Sequence, residues 1–295
     1  MIRGMESMEK SVYVFVYGTL LNNERNHQLL HNARCIALQS WTYGELYDTG
    51  YGYPALVVNG DDRVYGEIYE VNGVVLKQLD QLEGYTGKAE SNHYDRITQT
   101  IYTDFGTYDA YIYIYTPSQI TNQYRLPFGD WRCHQYLEQS PQLYFAYGSC
   151  MDEERFQIAG VDHLFKNVKG CGIARNFVLT YSLPRDDGGR ANMVELEDWV
   201  EGIVYEVNEE AVEYLFKREG VHSGTYRPAF IDVEINGQVH RNVMTFLVID
   251  KQDEVAPPEH YAREILRGAK GRVSDAYFKK LEDKITNKFN MNVSW

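Results

Sequence analysis

The feature that most constrains this chain is a segment it contains twice. Leu143-Tyr144-Phe145-Ala146-Tyr147-Gly148-Ser149-Cys150 is a short apolar run stopped by a Gly-Ser turn. Val12-Tyr13-Val14-Phe15-Val16-Tyr17-Gly18-Thr19-Leu20 has the same grammar of strand, Tyr, Gly and hydroxyl residue. Two further landmarks repeat in the same order: Val64–Val71 is echoed by Val200–Val207, and Leu79–Gly84 by Leu215–Gly220. The offsets are 147 − 17 = 130 and 219 − 83 = 136, so the register drifts between the landmarks but their order holds. That pattern indicates an internal duplication, and its period is a whole domain rather than a solenoid unit of roughly 20–50 residues. A chain of 295 residues accommodates two such domains.

Local patterning outlines each half. Residues 12–17 are β-branched and aromatic and read as a buried strand ended by Gly18. A helix is expected from Asn22 or Asn23 to about His31, with Asn as cap and Glu24 in the first turn. Residues 35–47 read as a long or bent strand, with Gly44 a candidate bulge. Asn59-Gly60-Asp61-Asp62 reads as a hairpin turn between strands at 55–58 and 64–71. After Asn72, the helical spacing of Val75, Leu76, Leu79 and Leu82 predicts a helix with one buried face, stopping at Glu83-Gly84. Strands at 95–103 and 107–115 bring the first half to about six. The second half adds a strand at 239–249 and two amphipathic segments, 259–268 and 274–287. Their apolar face is Ile265, Leu266, Tyr277, Phe278, Leu281 and Ile285. The expected organisation is an α+β chain with a domain over 11–118, a polar connector over 119–141 carrying a short helix near 130–139, and a domain over 142–295.

Charge narrows the function. With 42 acidic against 29 basic residues, the net charge of −13 opposes nucleic-acid binding, which needs a basic footprint. It equally disfavours anionic membranes, and no apolar run approaches the ~18 residues that span a bilayer. Residues Met1 to Lys10 mix charges and lack an apolar signal core, so export is not expected. Cys35, Cys133, Cys150 and Cys171 are widely spaced and suit free thiols in a reducing cytoplasm. The eight His residues form no metal-ligand pattern, so no metal and no cofactor is expected.

Two constellations could carry chemistry. Glu219 and its duplicate Glu83 each close a helix and precede Gly. A carboxylate is poorly placed at the negative end of a helix dipole, and such a site tends to raise its pKa toward that of a general base or acid. The alternative is a solvated helix end. The turn Tyr147-Gly148-Ser149-Cys150, like Tyr17-Gly18-Thr19-Leu20, lets backbone approach a ligand and offers N–H groups to an anion. The alternative there is a tight connection. Ser149 is not in a G-x-S-x-G elbow, and Cys150 faces Leu20 in the other copy, which favours a structural role.

These residues resemble the gamma-glutamylcyclotransferase superfamily across nearly the whole chain. The second half carries Tyr144–Ser149, Arg218-Glu219-Gly220-Val221-His222-Ser223-Gly224-Thr225-Tyr226, Ala256-Pro257-Pro258 with Tyr261, and Gly268-Ala269-Lys270. The first half is similar to the smaller gamma-glutamylamine cyclotransferase-like branch through Val16–Leu20, Asn26-His27, Tyr53-Pro54-Ala55-Leu56, Leu79–Tyr85 and Tyr94-Asp95-Arg96. The resemblance implies two small mixed β-barrels with flanking helices and a small-molecule gamma-glutamyl substrate. It implies that the turn, with Tyr226, holds the amino-acid end of the substrate. The Glu then serves as base and acid while the substrate's own amine attacks its gamma-carbonyl, releasing 5-oxoproline. On this reading Glu219 is favoured as the base. The family usually has Asn where Cys150 stands, and that departure motivates the alternative of a non-catalytic ligand-binding or scaffold protein.

Overall fold

The computed structural model describes residues 11–293, so the reading of Met1–Lys10 lies outside the described residues. The chain divides into two compact units between His134 and Gln135.

In the first unit, strands β1 (Val12–Val16), β2 (Arg34–Tyr43), β3 (Glu45–Asp48), β4 (Pro54–Val57), β5 (Arg63–Val71), β6 (Asp95–Thr103), β7 (Gly106–Ile114) and β8 (Tyr124–Arg125) are joined by helix α1 (Gly73–Leu82), which follows β5 and buries only Leu79 among its residues. Five of them close a barrel in the order β1-β5-β2-β6-β7. All neighbours are antiparallel except the closing pair, where β1 runs parallel to β7 through Val14 and Tyr111. Val14, Phe15, Ile68, Ile101 and Ile112 of the barrel's strands are at most 1% exposed. A small sheet, β4-β3-β8, lies beside it.

The second unit repeats the plan. Helix α2 (Trp131–Leu137) spans the division, and β9 (Gln142–Ala146), β10 (Val168–Arg185), β11 (Gly188–Val207), β12 (Tyr226–Ile235) and β13 (Gln238–Val248) follow. They close in the order β10-β11-β9-β13-β12, which is the same circular order as the first barrel. The single parallel contact recurs, between Tyr144 of β9 and Met244 of β13. Helices α3 (Glu153–Ile158), α4 (Glu209–Arg218), α5 (Glu259–Ala269) and α6 (Asp275–Asp283) flank it. Of the expected apolar face of the last two, Ile265, Leu266, Tyr277, Leu281 and Ile285 are buried and Phe278 is half-buried. The α+β class and the paired barrels are therefore as expected.

The duplicated helix is positioned identically in both units. The Asn72 side chain accepts hydrogen bonds from the N–H groups of Val74 and Val75, and the Asn208 side chain accepts one from Ala211. At the other end Gly84 and Gly220 both have φ of 63°, the left-handed conformation that glycine supplies just past a helix.

Several local expectations fail for identifiable reasons. Residues 22–31 form a succession of turns with only a 3₁₀ segment, His27–Leu30, because Asn23 takes a positive φ of 69° that a helix cannot contain. The strand read over 35–47 breaks at Gly44, where β2 passes from the barrel to the small sheet as β3. Asn59–Asp62 is not a hairpin turn, since β4 pairs with β3 and not with β5. Leu82 is 40% exposed rather than on the buried face. Residues read as polar connector also contribute to the first unit: β8 pairs with β3, and Arg132 is buried against Glu67 and Asp130.

Glycines in the matched strands mark the closest backbone approach. A β-carbon on Gly66 would lie 2.2 Å from the Val16 carbonyl oxygen, and one on Gly202 would lie 2.2 Å from that of Ala146. Gly66→Ala and Gly202→Ala should each destabilise the protein by about 1–3 kcal/mol, because strand pairing would have to open to admit the methyl. Urea unfolding checks this, and unchanged midpoints for both would show that the walls relax freely.

Candidate active site

In each unit the end of the first strand and the end of the duplicated helix face one cavity. In the first unit that cavity is about 240 Å³ and its lining includes Tyr17, Gly18, Thr19, Leu20, Arg25, Asn26, Tyr53, Pro54, Glu83, His93 and Tyr94. In the second it is about 40 Å³, lined by Tyr147, Gly148, Ser149, Cys150, Ala191, Glu219, Tyr226 and Tyr261 among others. The turn residues and the helix-ending glutamate singled out from sequence thus converge in both copies.

The tyrosines act on the wall rather than offering free hydroxyls. Tyr17 donates to the Tyr113 carbonyl at 2.6 Å, and Tyr147 donates to that of Phe246 at 2.6 Å. Each tyrosine ties the turn after the first strand to the last strand. Tyr94 donates to the Pro54 carbonyl at 2.7 Å, and Tyr226 does the same to Ala191 at 2.8 Å. A β-carbon on Gly18 would meet the Pro54 ring at 2.7 Å, so only glycine lets the turn sit so near that wall.

Beyond these shared features the two sites differ. Thr19 accepts from the Asn26 amide at 3.0 Å, while the backbone N–H groups of Thr19 and Leu20 have no acceptor among the described residues. Glu83 has no ion pair there either. Burial pushes its carboxyl up to about 7, the single cause of the shift.

Glu219 is also raised by burial, but Arg218 opposes the shift. The Arg218 guanidinium lies 3.5 Å from the Glu219 carboxylate, and its Nε donates to the Cys150 sulfur at 3.2 Å. Its other end donates to the Ser149 hydroxyl at 3.3 Å, and the Cys150 thiol donates to Glu219 at 3.6 Å. Burial raises the Cys150 thiol, consistent with a protonated donor rather than a thiolate nucleophile. In the first unit the residues at these positions are Leu82 and Leu20, which bring neither charge nor hydrogen bonds.

Arg218 stood beside Glu219 in the sequence, yet its role depends on how the helix end turns it. Arg25, Tyr53 and His93 lie in loops, with no periodic pattern to draw attention to them. Tyr261, on α5, reaches the second site, where its hydroxyl accepts from the Ala191 N–H at 3.2 Å. Among the described residues no group of three or more His, Cys, Asp or Glu could hold a metal ion.

Comparison with known proteins bears on this arrangement. The model of the gamma-glutamyl cyclotransferase, AIG2-like family matches residues 14–133, and that of the AIG2-like family matches residues 199–281. YkqA of Bacillus subtilis, provisionally named a gamma-glutamylcyclotransferase, is 42% identical over 273 residues, 91% of this chain and 95% of that protein. Its crystal structure superposes with a TM-score of 0.84 at 40% identity, covering 94% of this chain and 98% of the other. A gamma-L-glutamyl-butirosin B gamma-glutamyl cyclotransferase of Niallia circulans is 36% identical over 120 residues, 40% of this chain and 74% of that protein. Alike in sequence and in architecture over nearly its full length, the chain belongs to the gamma-glutamylcyclotransferase family and carries two AIG2-like domains in tandem.

Proposed function

We propose that the first unit converts gamma-glutamyl amides to 5-oxoproline and a free amine, with Glu83 carrying the proton. The observation that carries this reading is a burial-raised carboxylate lining a cavity of about 240 Å³ together with two backbone N–H groups, all three without a partner among the described residues. The N–H groups of Thr19 and Leu20 would receive the substrate's alpha-carboxylate. Glu83 takes a proton from the alpha-ammonium. The freed amine attacks the gamma-carbonyl carbon, forming the ring C–N bond. Glu83 then returns the proton to the departing nitrogen as the original amide C–N bond breaks, and the second proton, shed by the ring nitrogen as it becomes the lactam N–H, goes to the released amine, which leaves as an ammonium. A carboxyl with a pKa near 7 serves both steps at neutral pH. Holding the glutamyl chain folded supplies much of the acceleration, since nucleophile and electrophile belong to one molecule.

For the second unit, the Arg218 contacts favour the other reading, a barrel that does not turn substrate over. A carboxylate already paired with a guanidinium is a weaker base, and its cavity of about 40 Å³ leaves little room for a gamma-glutamyl group. This moves the emphasis from Glu219, favoured by sequence, to Glu83.

Glu83→Gln should lower 5-oxoproline formation by about 10²-fold or more, whereas Glu219→Gln should stay within about twofold of wild type and melt at lower temperature. Chromatographic assay of 5-oxoproline over a panel of gamma-glutamyl amides, with a thermal melt of each variant, decides it. Equal losses in both variants would contradict the division of labour, and no product from wild type would remove the cyclisation reading altogether.

The wild-type kcat/KM should rise with pH through an apparent pKa near 7, as Glu83 loses its proton. Stability should move the other way. A carboxyl whose folded pKa lies above its unfolded value favours the folded state at low pH, and that stabilisation is lost as pH rises from about 4.5 to about 7. Glu83→Gln should therefore melt at the same or higher temperature than wild type at pH 8, where the native carboxylate is charged and unpaired. A clear drop in Tm at pH 8 would show that Glu83 has a structural partner.

A further inference from the structure

We propose that Arg25 is a specificity residue that selects leaving amines bearing a carboxylate, so that the preferred substrates are gamma-glutamyl amino acids rather than gamma-glutamyl alkylamines. The inference rests on the cyclisation reading of the first unit and names the substrate class of that site.

Arg25 lines the same cavity as Glu83, and its guanidinium has neither an ion pair nor a hydrogen bond among the described residues. Arg34, Arg96, Arg125 and Arg132 of the same unit each meet a carboxylate. Arg25 is exposed and leans over the loop that follows β3, with Nη1 3.4 Å from where a β-carbon on Gly52 would lie. The neighbouring Tyr53 hydroxyl is 3.3 Å from Nε2 of His93, whose β-carbon packs on Gly84, next to Glu83. The cavity rim is thus continuous from the glutamate to the guanidinium.

The charges divide between the two ends of a substrate. The glutamyl part brings an ammonium to Glu83 and a carboxylate to the turn N–H groups, which satisfies the deep end. Among the described residues Arg25 is then the one guanidinium in the cavity lining, at the exposed rim where the departing amine's substituent must emerge. A guanidinium pairs with a carboxylate through two parallel N–H···O bonds, a geometry that a neutral amide or alkyl group cannot return. Because Arg25 is exposed, water screens the pair, and the discrimination is moderate.

The test measures 5-oxoproline release by the full chain from gamma-glutamyl-alanine and from its neutral isostere gamma-glutamyl-alaninamide, for wild type, Arg25→Gln and Arg25→Lys. Arg25→Gln should raise KM for gamma-glutamyl-alanine about five- to tenfold with little change in kcat, and leave both constants for the alaninamide within about twofold. Arg25→Lys, which keeps the charge but loses the planar fork, should recover part of the loss. A parallel loss on both substrates would overturn the proposal, because Arg25 would then serve the glutamyl end or the fold. Unchanged kinetics on both would overturn it as well, while leaving the cyclisation reading intact. Failure of wild type to form 5-oxoproline from either substrate would overturn both.

Discussion

One hydrogen bond, made twice, holds the architecture and the chemistry together. The tyrosine that ends the first strand of each barrel donates to a carbonyl of the last strand, beside the single parallel contact that closes the barrel. Without that tie, the Gly-containing turn would be an ordinary exposed connection. With it, the turn is pinned against the wall through which the helix end enters, and the tyrosine hydroxyl is fully engaged and shielded. The helix is fixed independently, by an Asn cap at its start and a left-handed glycine past its end. Turn and carboxylate are each held from two directions, the kind of support that pre-organised proton transfer needs.

The two copies share this frame and differ in what fills it. Leu82 and Leu20 of the first unit leave their glutamate half-buried, without an ion pair among the described residues, and lining an open cavity. Arg218 and Cys150 of the second wrap theirs in a network that also takes in Ser149. A single guanidinium changes the character of the site more than the Cys-for-Asn departure does, since it supplies the counter-charge that the first glutamate lacks. Glu67 and Glu201, which flank the matched glycines on either side, illustrate the same divergence. Glu67 accepts from the Asn22 N–H and pairs with Arg132, whereas Glu201 accepts from the N–H and hydroxyl of Ser274 at the start of α6.

Much of this was legible in the residues because it was written twice. The strand–turn pair and the Glu-Gly helix end stood out through repetition, and the barrels' shared circular order follows the matched landmarks. The physical reason for the perturbed glutamate was legible only in part. Its place at a helix end suggested a dipole effect, whereas burial is what lifts Glu83. The features hidden from sequence depend on the path of irregular backbone. Arg25 reaches the cavity because residues 22–31 are turns instead of the helix that their composition suggests. Tyr53 and His93 meet across 40 positions with no periodicity to announce them. The alternation of polar and apolar residues reports which face is inside, and it carries no information about where a loop delivers a charge.

Two glutamates of common descent sit at the ends of matched helices in one polypeptide, one paired and one unpaired. Any condition imposed on the first barrel is imposed on the second at the same concentration, temperature and ionic strength. The paired copy therefore serves as a built-in reference electrode for the unpaired one. Spectroscopic titration of the two carboxylates side by side would read out what the Arg218–Cys150 network does to a helix-end acid, both acids being observed in one molecule.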